Sequence, residues 1–415
     1  MKYDKVTFTP CALSGAITAP PSKSMAHRYL ICASLADGTS TIDNLDLSDD
    51  IRATIACCES LGARITVTGG RAVVQGAGFP SDSAGATGRF DCNESGSTLR
   101  FMIPPALLMG SSAVFTGSRT LLSRPLSVYE NLFTETGMVF DRTETGITVY
   151  GTLKPGTFEI QGDISSQFVT GLLFALPVLE GDSRIVLTGA IESRPYIDMT
   201  LFALSQSGIT ARWESGNEIA VPGFQKFRPF EARVEGDWSN AAFFLAMNTF
   251  GSLIKVDGLD QDSLQGDREC TGFLRALTDG FAAIDIGACP DLGPVLFAVA
   301  AGHHGGRFTG TGRLRMKESD RAQAMCTELD RFGISTQAGD DCITVFGGEL
   351  QKPALVLDGH NDHRIVMALT VLLLQTGGTI NGACAVNKSF PDFFDRLTQL
   401  GAELEYEGMP SGEGD

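Results

Sequence analysis

An α/β protein of two similar domains is the fold class this sequence predicts, and three observations predict it. The chain has 415 residues, more than a single hydrophobic core ordinarily serves. It repeats one phrase six times: a small or polar opening, an apolar helix-like run, a glycine, then a β-rich run ending near another glycine. Three copies lie before about Val234 and three after it, so the two halves should resemble each other.

The copies run in order along the chain. The first is PSKSMAHRYLICASLADGTSTIDNL from Pro21, and the second NESGSTLRFMIPPALLMGSSAVFTG from Asn93. DISSQFVTGLLFALPVLEGDSRIVLTG follows from Asp163, and GDWSNAAFFLAMNTFGSLIKVDG from Gly236. The last two are CPDLGPVLFAVAAGHHGGRFTG from Cys289 and GHNDHRIVMALTVLLLQTGGTING from Gly359. Each reads as a helix whose C-terminal glycine feeds a strand. Alternating stretches between them, ARITVTGGRAVVQG and ITVFGGEL, read as hairpins. The stretch VPGFQKFRPFEARVEGDWSN suits a crossing between domains, and the residues before Pro20 read as a strand that should pair with the later half. The expected division is therefore 1–20 plus 234–415 as one domain and 21–233 as an inserted second. The tail EYEGMPSGEGD has the composition of an unstructured end.

Composition narrows the function. An apolar share of 43% with 20% charged residues is that of a soluble globular chain. No apolar run approaches the roughly 20 residues of a membrane span, and MKYDKVTFTP lacks a secretory core, so the cytoplasm is the expected location and no membrane partner is expected. Ten scattered cysteines without a C-x-x-C read as reduced core residues, with Cys32, Cys326 and Cys384 in apolar surroundings. The net charge of −17 argues against nucleic acid as a partner, which requires a broad basic surface. Small anions remain admissible, because charges farther than about 8–10 Å are screened.

Local cation clusters do occur, and in an unexpected place. A helix N-terminus carries partial positive charge, so a cation there is disfavoured by about 0.3–1 kcal/mol. Yet Lys23, His27 and Arg28 crowd one predicted helix start, Arg100 follows SGST, Lys317 and Arg321 flank another start, and His363 and Arg364 follow Asn361-Asp362. Ser24, Ser97, Thr98, Ser165 and Ser166 add hydroxyls at matching places. Bound anions would compensate such repeated placement, and the number of cations suits a substrate pair with two phosphates and one or two carboxylates. No metal is expected: His360-x-x-His363 lacks accompanying ligands. Neither G-x-x-x-x-G-K-[ST] nor G-x-G-x-x-G occurs, so no nucleotide cofactor is expected either.

The motifs PPSKSMAHR, SGSTLRF, SSQFVTGLL, SRPYIDMTL, MKESDR, NDHRIVM and NKSFPDFFDRL together resemble the EPSP synthases, a family of enolpyruvyl transferases, in order along nearly the whole chain. The resemblance implies two domains of three βαβαββ repeats each, packed with helices inside as an inside-out α/β barrel, and an active site in the interdomain cleft that closes on substrate. It implies transfer of the enolpyruvyl group of phosphoenolpyruvate (PEP) to the 5-hydroxyl of shikimate 3-phosphate by addition and elimination, without cofactor or metal, in a monomer. The PEP ligands so implied are Lys23, Gly96, Arg124, Gln167, Arg321, Arg364 and Lys388. Those for shikimate 3-phosphate are Ser24, Arg28, Ser165, Ser166, Gln167, Ser193, Tyr196, Asp291 and Lys317. Bidentate arginines suit carboxylate and phosphate, and hydroxyls suit phosphate and ring hydroxyls.

Three catalytic residues follow from the same resemblance. Glu318 would exchange the proton at the PEP methylene, Asp291 would orient and deprotonate the 5-hydroxyl, and Lys23 would stabilise the leaving phosphate or exchange a proton itself. Taken as bare residues, Glu318 equally suits an ion pair with Arg321, and Asp291 a helix N-cap. The chain departs from the family pattern at Glu94, where an Asn-Ser or Asn-Ala pair is common before Gly96. Arg313 stands in place of an Asn that often contacts the shikimate phosphate, and Phe101 in place of a smaller residue. Glu94 would act as a helix cap or lie near PEP, Arg313 would serve the phosphate or point away, and Phe101 would shift its helix. Gly96 leaves room for the inhibitor glyphosate, so sensitivity is expected.

Rival readings make different demands. The sister transferase acting on UDP-N-acetylglucosamine usually shows Lys-Asn where this chain has Lys23-Ser24, and a cysteine in the loop that is TGSRTLLSRP here. RNA 3′-phosphate cyclases, built on related repeats, need ATP and a nucleophilic histidine and favour basic surfaces. A non-catalytic phosphate-binding paralogue should have lost Lys23, Asp291 or Glu318, and all three are present.

Overall fold

A computed structural model of the chain describes residues 4–78, 87–109 and 112–407. It divides into two compact units, Pro21–Glu235 and Met1–Pro20 with Gly236–Asp415. Each is built around largely apolar helices that are buried on nearly every side and so form the core.

In Pro21–Glu235 these are Lys23–Leu35, Gly96–Ala106 and Ser166–Ala175. Beyond the first two residues of Lys23–Leu35, every side chain of that helix is buried. Pro104 and Pro105 supply no N–H to the Gly96 helix, which passes at Leu107 into a short 3-10 turn. Three four-stranded sheets surround these helices, all with one order. The second, for example, runs Gly88–Asp91, Ser112–Thr116, Ile147–Tyr150, Val139–Arg142, its first pair parallel and the rest antiparallel. The parallel pair needs a crossover, which the buried helix provides; the antiparallel pair is a hairpin. The anticipated hairpin in ARITVTGGRAVVQG forms between Arg64–Thr68 and Arg71–Ala77, with Gly69 and Gly70 both at positive φ.

The other unit buries Trp238–Thr249, Gly293–Gly302 and His363–Thr376. Two of its sheets repeat the same order, and the opening strand Lys5–Phe8 occupies the third place of one, antiparallel to Gly378–Asn381 and to Leu404–Glu407. The third sheet has, among the described residues, two strands, Ser14–Thr18 and Leu253–Asp257. The repeat beginning at Gly236 thus lacks its hairpin: the helix Cys270–Asp279 is followed at Ala282 by the first strand of the next repeat. Within the acidic tail, Glu405–Glu407 belong to a strand rather than to an unstructured end, and 408–415 lie outside the described residues. Cys384 is exposed rather than set in an apolar core, and its thiol donates to Asp4 Oδ1 at 3.0 Å.

Candidate active site

The functional side chains of Pro21–Glu235 gather at the N-termini of its buried helices. Ser22, Ser95 and Ser165 cap them, each accepting from a backbone N–H two or three residues on. Ser95 takes the capping role at the Gly96 helix, so Glu94, half-buried, is not the cap. Capping by neutral hydroxyls leaves the positive end of the helix dipole uncompensated, which suits an incoming anion.

Lys23 forms an ion pair with Asp50 (Nζ to Oδ2 2.7 Å), and neither is more than 14% exposed. Arg28 is buried and spends its guanidinium on Ser24 O (2.6 Å), Tyr196 O (2.8 Å) and Thr200 Oγ1 (2.9 Å). It therefore ties the Lys23 helix to the helix Arg194–Gln206, whose preceding Ser193 sits in the left-handed region at φ 55°. Burial lowers the Arg28 pKa to about 10, still charged at neutral pH. A second cluster joins Gln167 to Arg100 (Oε1 to Nη1 2.7 Å) and to Ser97 (Nε2 to Oγ 2.9 Å). The Arg124 guanidinium lies against Gly96, where an added Cβ would come within 2.6 Å of Arg124 Nη1 and 3.2 Å of Arg100 Nη1. Phe101 is buried, edge-on to His27 and Phe174 and beneath Arg28.

His27 supports this arrangement from below. Its Nδ1 meets Thr54 Oγ1 at 2.6 Å, Thr54 meets Thr98 at 2.7 Å, and Thr98 donates to the cap Ser95 at 2.7 Å. Burial, with Lys23 and Arg28 adding to it, pushes the His27 pKa well below 6.5. A histidine kept neutral when folded favours the unfolded, proton-binding chain below that value, so stability should fall as pH drops beneath about 6.5. The native unfolding free energy from urea titrations should therefore fall between about pH 6.5 and about pH 5 more steeply than that of His27→Gln, by up to about 1.4 kcal/mol per pH unit. Parallel profiles would remove His27 as the cause.

The other unit carries a tighter cluster. Asp291 lies in the 3-10 turn Pro290–Leu292, and the N-cap of the following helix is Leu292, so Asp291 is not a helix cap. Its carboxylate instead meets Arg321 Nη1 (2.8 Å), Lys317 Nζ (3.1 Å) and Arg364 Nη2 (3.3 Å). Burial opposes its charge, but Arg364, Lys317 and Arg321 prevail and hold it well below the usual carboxylate range. Burial also lowers the Lys317 ammonium, against Asp291. Arg321, only 1% exposed, is further gripped by Glu318 (2.6 Å) and by the fully buried Asp362 (2.8 Å), which raise its pKa despite burial. Glu318 precedes the helix Arg321–Arg331, whose cap is Asp320, so its pairing spans the helix start rather than a helical turn. Arg364 also reaches Ser239 Oγ at 2.8 Å, and Lys388 donates to Asn361 O at 2.7 Å. Arg313 donates from Nη2 to Gly287 O at 2.6 Å.

Three participants escaped the sequence reading. Asp50, in DDIRAT, looks like an ordinary acid in a helix's first turn, and nothing in the sequence links it to Lys23. Ser239 resembles any polar residue near a helix start. Asp362 was legible as a cap, but not as the partner of Arg321. Among the described residues no group of three or more His, Cys, Asp or Glu is placed to hold a metal ion. His360 turns instead to Glu328, at 3.0 Å.

The profile of the family described as EPSP synthase (3-phosphoshikimate 1-carboxyvinyltransferase) matches residues 9–279 and 276–397. A protein of Clostridium kluyveri named 3-phosphoshikimate 1-carboxyvinyltransferase is 40% identical, across 98% of this chain and 99% of that one. A Clostridium perfringens protein of the same name is 38% identical, across 97% of this chain and 100% of its own length. The solved EPSP synthase of Acinetobacter baumannii superposes with a TM-score of 0.78 over 98% of this chain and 100% of its own; at 22% identity it speaks for the fold alone.

Proposed function

The chain belongs to the EPSP synthase family, and on that premise we propose that it transfers the enolpyruvyl group of PEP to the 5-hydroxyl of shikimate 3-phosphate. The products are 5-enolpyruvylshikimate 3-phosphate and phosphate, and the protein is a transferase of the shikimate pathway. The observation that carries this reading is Asp291 held at once by Lys317, Arg321 and Arg364. A carboxylate so surrounded marks a place built for anions, with an acceptor for a hydroxyl proton among them.

In this reading the groups assigned to PEP are Lys23, Arg124, Gln167 and the backbone at Gly96, with Arg321, Arg364 and Lys388. Shikimate 3-phosphate is bound by Ser24, Ser165, Ser166, Gln167, Ser193 and Tyr196, with Arg28 fixing Ser24 and Tyr196 through their carbonyls, and by Asp291 and Lys317. Protonation of the PEP methylene makes its neighbouring carbon electrophilic. The 5-hydroxyl adds there while its proton passes to Asp291; the tetrahedral adduct then loses phosphate from one carbon and a proton from the methyl group, and the hydroxyl proton leaves Asp291 with the phosphate. Glu318 gives and retrieves the methyl proton, and Lys23 balances charge on the departing phosphate. The guanidinium groups act on charge that grows during the reaction, where fixed cations are most effective.

Phosphate release measured in the presence of a chelator tests the reading. Release with PEP plus shikimate 3-phosphate, and none with PEP plus UDP-N-acetylglucosamine, is expected. The reverse pattern, or silence with both, would sink it.

Gly96 gives a second test. A methyl group there would displace the mobile end of Arg124 rather than backbone, so Gly96→Ala should fold normally. Losing one charged hydrogen bond should raise the KM for PEP roughly tenfold. Glyphosate, which inhibits the native enzyme in this reading, should inhibit the variant less. An unchanged KM together with unchanged inhibition would contradict the role of Arg124.

A further inference from the structure

The segment Gly359–Asp362 joins the strand Leu357–Asp358 to the helix His363–Thr376. It is a tight turn closed by Asp362 N–H to Gly359 O at 2.9 Å, with both central residues, His360 (φ 51°) and Asn361 (φ 49°), in the left-handed region. Glycine and asparagine suit such positions; histidine does so at a cost. Gly359 has no slack, since a Cβ there would meet Val366 at 2.6 Å. Something outside the turn must hold His360 in place.

Glu328 does so. It is fully buried on the helix Arg321–Arg331, two turns beyond Arg321. Its Oε1 meets His360 Nε2 at 3.0 Å, and its Oε2 accepts from Asp358 N at 3.3 Å and forms an ion pair with Arg331 Nη1 at 3.3 Å. Asp358 Oδ1 in turn accepts from His360 N at 2.7 Å. The turn thus held presents two groups: Asn361 O, which receives Lys388 Nζ at 2.7 Å, and Asp362, which receives Arg321 Nε at 2.8 Å and caps the helix that begins His363-Arg364. Three of the cations assigned to PEP are set by this one turn.

We propose that His360 and Glu328 are positioning residues for PEP: their hydrogen-bonded pair holds the strained turn that sets Lys388, Arg321 and Arg364. The inference rests on the functional reading above. The charged groups facing His360 are Glu328 and Arg331 from the helix and Asp358 from the strand. The hydrogen bond to Glu328 raises the histidine's pKa, burial opposes it, Asp358 adds to it and Arg331 subtracts. The charged pair is therefore complete at low pH and is lost as pH rises through that raised value.

Steady-state kinetics of native protein, His360→Ala and His360→Gln between about pH 6 and about pH 9 test it. His360→Ala should raise the KM for PEP about tenfold while kcat and the KM for shikimate 3-phosphate stay within about twofold. His360→Gln keeps a donor to Glu328 without titrating. It should recover most of the PEP affinity and lack the rise in PEP KM that the native protein shows as His360 loses its proton. Native KM values in His360→Ala, equal loss for both substrates, or matching pH profiles for native and His360→Gln would each overturn the proposal. Absence of turnover by the native protein would remove the functional reading and this inference with it. Native turnover beside unaffected variants would remove the inference alone.

Discussion

Asp362→Ala should lower the unfolding free energy by about 3 kcal/mol, the lower end of what removing one partner of a buried ion pair costs. Asp362 is fully buried and receives Arg321 Nε at 2.8 Å and Nη2 at 3.3 Å, Ser319 Oγ at 3.1 Å and Arg364 N at 2.9 Å. The alanine variant leaves Arg321, itself buried, without its most enclosed counter-ion, and removes a helix cap worth about 1 kcal/mol. Asp291 and Glu318 still attend Arg321, which is why the loss should not reach the upper end. Asp362→Asn keeps an oxygen for the cap but not the charge, and should fall between the two. Urea unfolding at neutral pH reads all three; values for both variants within about 0.5 kcal/mol of native would refute the assignment.

The features that could be read in advance are those carried by local pattern. The buried helices announce themselves because each is a mostly apolar run between a small or polar opening and a glycine, and the hairpin at Gly69-Gly70 because two glycines interrupt two alternating runs. Cations at helix starts were visible for the same reason, since the conflict with the helix dipole is local. What stayed hidden depends on residues far apart in sequence. Lys23 and Asp50 lie 27 positions apart, Arg321 and Asp362 41. Choosing between Glu94 and Ser95 as cap needed the backbone torsion at Ser95, because either side chain could accept the bond. The same holds for Arg313, which meets Gly287 26 residues earlier. The two-stranded sheet was in principle legible: the short span between Leu253–Asp257 and Ala282–Asp285, with one helix inside it, leaves no room for a hairpin.

Asp291→Asn should reduce kcat by about 10²–10⁴ without weakening PEP binding. At rest the Asp291 carboxyl is a poor base, because Arg364, Lys317 and Arg321 hold it well below the usual range against the effect of burial. The proposed substrates compete for those same cations. In the proposed reading PEP would draw Arg321 and Arg364 and the shikimate phosphate would draw Lys317, so the hold on Asp291 would weaken and its basicity rise when a hydroxyl proton must be taken. An asparagine fills the same space and can still accept a hydrogen bond, but it cannot take that proton. Its neutrality also leaves Arg321 and Arg364 with one competitor fewer, so the KM for PEP should stay level or fall. A loss of kcat with unchanged or lower KM would mark an interaction needed in the transition state. Retention of kcat within about threefold would exclude Asp291 as the base. A large rise in KM with kcat intact would make it a scaffold for the cations instead.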